Sequence, residues 1–258
     1  MRDFNQVYVA PTIFNFKKGF QEKWKLPSYT DSNKPAVFFG CYNNYELEII
    51  QKHKAPFIMI WGGADQSIDR FKIIQSHPYL VGSPAYRGPM INTFKSIGYP
   101  YKNIILPLKD YSSFKPTPLG NKIYLYRGWK HPRNSYFQWD QIIEPLMKRY
   151  GKQNFIYGLG KSLDYVHEHF YKQSFVYLKP NPKGGSTSMW ELGYMGRKTI
   201  AQEQGQAPNV LNYTDLDSII KLIDHEKSKI GTIQNTLSEE VHNIMMHTDE
   251  WLTLNFWK

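Results

Sequence analysis

Strands that alternate with short helices are the feature that most narrows what this 258-residue chain can fold into. Runs rich in β-branched and aromatic residues at 6–10, 36–40, 57–61, 79–82 and 104–108 read as strands. So do 122–127, 154–157, 174–178, 198–201 and 209–212. Between them apolar residues recur at helical spacing. Leu47 and Ile50 mark a helix over 45–52, and 69–75, 88–97, 163–171 and 237–247 also read as helical. In 139–150, Trp139, Ile142, Ile143, Leu146, Met147 and Tyr150 share one face, as Leu216, Ile219, Ile220 and Ile223 do in 214–225. The aromatic, basic and proline-broken stretch after residue 10 takes no regular assignment. This rhythm predicts an α/β chain with parallel sheets and helices on both faces. Residues 110–121, DYSSFKPTPLGN, are the best linker between two βαβ halves. The tail DEWLTLNFWK carries two tryptophans and needs a surface to dock on.

The most informative stretch is 174–202, SFVYLKPNPKGGSTSMWELGYMGRKTIAQ. Pro180, Pro182, Gly184 and Gly185 stop regular structure after the strand. Ser186, Thr187 and Ser188 suit a helix N-cap, Met189, Leu192 and Met195 lie on one helical face, and Gly196 ends the helix. A glycine-containing loop at a helix N-terminus offers unpaired backbone N–H groups and a positive dipole end to an anion. One turn in, Glu191 offers a carboxylate to a ribose diol. Together these features suit a nucleoside diphosphate. Ser188-x-x-Glu191 also has the form of a capping box, in which the glutamate only satisfies a backbone N–H. The local pattern leaves both readings open.

The run GGSTSMWELGYMGRKTIA resembles the donor-binding signature of the GT-B glycosyltransferases at Gly184, Gly185, Ser186, Glu191, Gly196 and residues 199–201. The resemblance extends over about residues 120–226. Where the retaining, family-4-like branch carries a second glutamate eight residues before the first, this chain has Lys183. The resemblance implies two Rossmann-like βαβ domains facing a cleft, in a compact version of the GT-B fold. Residues 1–112 would form the acceptor domain, 113–242 the nucleotide-sugar domain, and 243–258 would dock back on the N-terminal half. The implied activity moves a hexosyl or pentosyl group from a nucleotide-diphosphate sugar to a hydroxyl of a glycan or glycoconjugate. The nucleotide sugar would be a co-substrate, with no metal or other cofactor. A nucleotide-sugar epimerase of the same architecture is the nearest alternative, but no acid and base pair flanking a sugar stands out.

Arg127 and Lys130, in YLYRGWK, follow the first strand of the C-terminal half. Ligands in open α/β sheets bind at the carboxyl ends of strands. There a guanidinium fork and an ammonium point charge can clamp a diphosphate. Family members carry a similar pair at this place. Lys183 would add positive charge near the phosphates, and Gly158 would lie beside the base. No acidic pair has clear metal-ligand spacing, so leaving-group charge is assigned to these cations. In the N-terminal half, Trp61, Gly62 and Gly63 follow a strong strand as candidate acceptor contacts and lead to Asp65, the candidate general base. Asp65 would equally serve as a cap for the next helix. Cys41, Tyr42 and Arg87 are candidate acceptor contacts on neighbouring strand ends; Ser83 has the same status as Arg87.

The net charge of +10 favours anionic partners. Its lysines are scattered, the densest group being Lys17, Lys18, Lys23 and Lys25. A solvated face is the first reading of that group, and peripheral contact with an anionic membrane the second. Recognisable nucleic-acid modules are absent, which argues against nucleic acid as the partner; a non-catalytic protein using its basic surface to hold nucleic acid or anionic glycan is a separate alternative. Gly158 to Ser162 lacks the first glycine of a P-loop, because residue 155 is Phe155. A single cysteine fits a reducing compartment, and no secretory signal or apolar span of membrane length is seen, which predicts a cytoplasmic protein.

Overall fold

The computed structural model describes residues 2–63, 65–86, 88–125, 138–157, 162–180, 187–202 and 207–258. Two units divide the chain, one of residues 1–110 and 245–258, the other of 111–244. In the first, strands β1 (Val7–Val9), β2 (Ala36–Phe39), β3 (Phe57–Ile60), β4 (Leu80–Ala85) and β5 (Tyr101–Asn103) lie parallel in that order. Helices α1 (Lys17–Trp24), α2 (Asn44–Gln51), α3 (Ile68–Gln75) and α4 (Gly88–Ile97) accompany them. Every residue of β2 and β3 is buried, as expected of a parallel sheet covered on both faces.

Strand alternation sorts the core into two clusters. Ala36, Phe38, Phe57 and Met59 join Ile50, Phe71, Ile74, Met90 and Phe94 from α2, α3 and α4. Steps from β2 to β5 all go the same way, and right-handed crossovers then put the three helices on one face. The other face, with Val37, Phe39, Ile58 and Ile60, is covered by α1 and the C-terminal segment.

That cover is mostly aromatic. A 3₁₀ helix (Pro11–Phe16) leads into α1, which turns Phe20 and Trp24 inward and leaves Lys17 and Lys18 to solvent, with Lys25 just beyond its end. The aromatic, basic stretch is therefore an amphipathic helix, hidden in the sequence by its proline and its sparse apolar stripe. Trp24 meets Trp251 edge-on at 5.1 Å, and its indole N–H donates to the Pro107 carbonyl at 3.0 Å. Trp257 donates to the Trp251 carbonyl at 2.7 Å. Its ring lies over Gly82 of β4, where any Cβ would come within 2.7 Å of it. The fifth strand is displaced from the expected 104–108 to Tyr101–Asn103. Ile105 instead forms a bridge with Met245, and Leu106 goes to the tail-covered core.

The second unit holds β6 (Lys122–Leu125), β7 (Phe155–Tyr157), β8 (Ser174–Lys179), β9 (Lys198–Ala201) and β10 (Val210–Asn212). They are parallel, in the order β10-β9-β8-β6-β7. Its helices are α5 (Glu144–Tyr150), α6 (Leu163–Val166), α7 (Thr187–Tyr194), α8 (Leu216–Lys227) and α9 (Asn235–Asn243). Ile142, Leu146, Ile219 and Ile223 bring α5, its preceding turn and α8 onto one face, against Ile123, Leu125 and Val176. On the opposite face Tyr124 packs against Tyr177, Phe170 and Tyr171. The helix expected over 139–150 is present, but its first turn, Trp139–Ile143, is π-helical. Pro145, with no N–H to give to the preceding turn, accounts for the widening. A second π turn, His167–Tyr171, extends α6.

Arg197, fully buried at the start of β9, is the least expected core residue. Its guanidinium donates to the carbonyls of Thr117 (3.0 Å), Pro118 (2.8 Å), Ser174 (3.3 Å), Lys172 (3.4 Å) and Met195. Burial lowers its pKa to about 10, so it remains a cation at neutral pH. One rigid fork thereby ties the linker, the start of β8 and the end of α7 together.

Trp251→Ala should destabilise the first unit by about 3–5 kcal/mol, the usual cost of emptying a buried aromatic site. Phe14→Ala, at a side chain 72% exposed, should change stability by less than about 0.5 kcal/mol. Urea unfolding followed by near-ultraviolet circular dichroism compares the two.

Candidate functional site

Strand order in the second unit reverses between β6 and β8. At such a switch point the carboxyl ends of the strands border a crevice that takes ligands. β6 ends at Leu125 and β8 at Lys179, so the segments that follow them in sequence start there. Arg127 and Lys130 belong to the first, and Lys183, Gly184, Gly185 and Ser186 to the second. These six residues, with Gly158 and Arg87, lie outside the described residues.

The described surroundings carry charge and fixed polar groups. Lys179, the last residue of β8, is only 5% exposed. The next carbonyl, that of Pro180, accepts from the Gln138 amide at 2.8 Å and the Tyr213 hydroxyl at 2.7 Å. Gln138 has left-handed backbone (φ 50°), and its own carbonyl accepts the Ile142 and Ile143 N–H groups of the π turn. Burial pushes the Tyr213 phenol up to about 12, so it stays a donor at neutral pH. Two donors thus fix the end of β8 where the chain leaves for the glycine-rich segment.

Helix α7 begins at Thr187, which puts Ser188 in its first turn rather than at its cap. Thr187 and Ser188 are both partly exposed. Glu191 is buried, and its Oε2 accepts the Tyr171 hydroxyl at 2.5 Å. The Ser188 hydroxyl bonds the same phenol. Glu191 therefore reaches across to the π turn that carries Tyr171, an interaction the capping-box reading does not contain. Sequence patterns missed Lys179, Gln138, Tyr171 and Tyr213. Only Lys179, a charge at the end of a continuous apolar run, left a signal there.

In the first unit the candidate residues separate into two groups. Cys41, Trp61 and Asp65 are buried; Tyr42, Gly62 and Gly63 reach the surface. Cys41 belongs to the core beneath α2, where burial raises its thiol pKa to about 11. Trp61 packs edge-on against Phe71 at 4.6 Å. Both, expected to touch an acceptor, are buried in the core.

Asp65, expected as a general base, has no exposed surface. Its Oδ2 accepts the Cys41 N–H at 2.9 Å and the Gly62 N–H at 3.1 Å, and its Oδ1 accepts the Gly63 N–H at 2.8 Å. Burial raises the carboxyl pKa, and the backbone bonds from Gly62, Cys41 and Gly63 oppose the rise. Such a carboxylate clasps the turns after β2 and β3 and does not reach an acceptor hydroxyl. Glu46, also buried, accepts the Tyr42 N–H and the Asn43 N–H (3.3 Å) and closes a capping box with Asn43. Arg70 donates to the Tyr42 carbonyl at 2.7 Å. Tyr42 is held so that its ring lies over Gly62, where a Cβ would come 2.1 Å from the phenol oxygen. Gly63 has φ 118° and open space where a Cβ would stand.

No family model matches the chain, and no curated protein matches it in sequence. Solved structures do. Sucrose-phosphate synthase from Thermosynechococcus elongatus superposes with a TM-score of 0.59 at 12% identity, covering 96% of this chain and 78% of that one. TarM superposes with a TM-score of 0.53 at 10% identity, covering 87% of this chain, which spans 55% of TarM's length. The likeness is one of fold: two parallel five-stranded Rossmann-like units, as in the GT-B glycosyltransferases. Among the described residues, no helix is long and apolar enough to cross a membrane.

Asp65→Asn would set an amide N–H₂ against backbone donors, and should cost about 1–3 kcal/mol in urea unfolding. The single cysteine gives a second check. Ellman's reagent at pH 8 should leave Cys41 unlabelled in the folded protein and label one thiol per chain in urea.

Proposed function

We propose that this protein is a glycosyltransferase that moves a sugar from a nucleotide-diphosphate donor to a hydroxyl of a glycan or glycoconjugate. The observation that carries the reading is the switch point between β6 and β8. The sequence after those strands holds Arg127, Lys130 and the glycine–serine run, and a buried glutamate stands on the helix that follows. The fold shared with sucrose-phosphate synthase and TarM supports it.

In this reading the acceptor oxygen attacks the anomeric carbon, and the bond from that carbon to the diphosphate breaks. The bonding pair leaves with the diphosphate, and the acceptor proton is released. Arg127, Lys130 and Lys183 would offset the charge that develops on the leaving group, with Lys179 adding a buried positive charge at the strand end. Backbone N–H groups of Gly184 to Ser186, with the hydroxyls of Thr187 and Ser188, would receive phosphate oxygens. Glu191 would hold the ribose, and Gly158 would leave room for the base. In the first unit, Tyr42 over Gly62, with Gly63, would face the acceptor, Asp65 positioning those turns, and Arg87 would be a further acceptor contact. A donor with two phosphate charges is also drawn by the net charge of +10.

Thermal unfolding with UDP-, GDP-, dTDP- and ADP-glucose tests the reading. At 100-fold excess over Kd, the matching donor should add about 2.7 kcal/mol of stability. Arg127→Ala and Glu191→Ala should each abolish most of that shift. Turnover is then read as nucleoside diphosphate released on adding an acceptor. Failure of every nucleotide to stabilise folded protein would refute the proposal.

A further inference from the structure

The turn that leads into α1 leaves an aromatic side chain in solvent among cations. Ile13 lies against Gly40 and Gly62, and Phe20 and Trp24 enter the core, so one side of the segment is anchored. Phe14 is 72% exposed, more than any other large apolar side chain among the described residues. The Lys17 N–H donates to the Phe14 carbonyl, closing a 3₁₀ turn that brings the two side chains into line. Lys18, four residues from Phe14, shares that side and is exposed, as is Lys25 at the end of the helix.

Charge on this side is unbalanced. The acid on the helix is Glu22, 3.8 Å from Lys18 with both side chains in solvent, a contact of little strength. Lys23, 5.5 Å from the Trp24 ring, and Lys109, against Gly19, border a cleft with Asp110. Cations therefore outnumber acids, and the phenylalanine beside them makes little contact with the fold.

A bilayer with anionic headgroups matches both features. Its surface potential attracts lysines held within a Debye length, and its interface takes an aromatic ring at headgroup depth. The outside of a helix is convex and suits a broad, flat partner. Nucleic acid held without sequence preference asks instead for a groove with successive aromatic platforms, and this face offers one ring. Helix α1 keeps its own apolar stripe on the sheet throughout, so docking needs no unfolding.

We propose that this side of α1 is a docking surface for an anionic lipid bilayer, with Phe14 entering the interface and Lys17, Lys18 and Lys25 facing the headgroups. The inference goes beyond the donor reading and does not depend on it.

The test is sedimentation of the full chain with vesicles of phosphatidylcholine alone, or with about one-third phosphatidylglycerol, in low salt and in about 0.5 M NaCl. The parent should partition at least tenfold better onto the anionic vesicles, and high salt should release most of it. Lys17→Glu/Lys18→Glu should lower the partition tenfold or more, because each basic residue near the surface contributes a large factor. Phe14→Ala should lower it about threefold or more in low salt. All three side chains are exposed, so the variants should fold, and near-ultraviolet circular dichroism checks that they do. A second readout locates the contact. An environment-sensitive fluorophore on Phe14→Cys should shift to the blue with anionic vesicles, the buried Cys41 staying unlabelled. The same label on Ile73→Cys, in α3 on the opposite face of the sheet, should not shift. Equal partition onto neutral vesicles, indifference to either variant, or equal shifts at positions 14 and 73 overturns the inference. So does a protein that binds single-stranded polyuridine but no vesicle, which would assign the patch to nucleic acid. Donor binding, measured separately by thermal unfolding, stands or falls independently of these results.

Discussion

A parallel sheet must be covered on both faces, because its strands are apolar on both. In the first unit the strand order makes that hard. From β2 onwards each crossover steps the same way, which spends all three crossover helices on one face. The second face is completed from the two ends of the unit's sequence. Phe20 and Trp24 arrive from α1, and Trp251 and Trp257 arrive from the last residues. Gly82 marks the cost of this solution, for β4 gives up a side chain so that Trp257 can lie on it. The unit is therefore discontinuous in sequence, and residues 245–258 belong to its core.

The second unit meets the same demand by reversing direction. With β7 on one side of β6 and β8 on the other, the crossovers divide between the faces, and both are covered by local helices. The reversal has a chemical by-product. The switch point falls between β6 and β8, the place where open α/β sheets take ligands. Coverage of the sheet and the switch point are thus two results of one strand order. The first unit, with its sequential order from β1 to β5, offers no such reversal among those strands.

The α/β class, most strands and the amphipathic helices could be read from the sequence because period and composition are local properties. The strand shift to Tyr101–Asn103 could not, since Ile104–Leu108 has equal β character and only the pairing of Ile105 with Met245 diverts it. Helix α1 was hidden because its apolar stripe is two residues, Phe20 and Trp24, whose partners lie outside the helix, from Phe39 and Pro107 to Trp251. Glu191 was legible as a functional candidate from its place after a glycine–serine loop. Asp65 is ambiguous for a related reason. An acidic residue after a glycine turn suits a base and a clasp equally, and the clasp depends on N–H bonds from Cys41, Gly62 and Gly63 that the sequence does not show. Cys41 and Trp61 show that a strand-end position says nothing about which way a side chain points.

Asp65, Glu46, Arg197 and Glu191 share a physical logic. Each is a buried ionisable group, and the first three hold backbone groups at turns and element ends. Bonds between a charge and the backbone are stronger than neutral ones, and a charge in a low-dielectric setting cannot shift without losing them. Such groups therefore fix turns more firmly than apolar packing does, because packing tolerates small rotations. Glu191 also accepts from a side chain of another element, the Tyr171 phenol. A phenol–carboxylate bond holds one oxygen and one angle. It ties α7 to the π turn after α6, as three backbone N–H bonds let Asp65 tie the turns after β2 and β3.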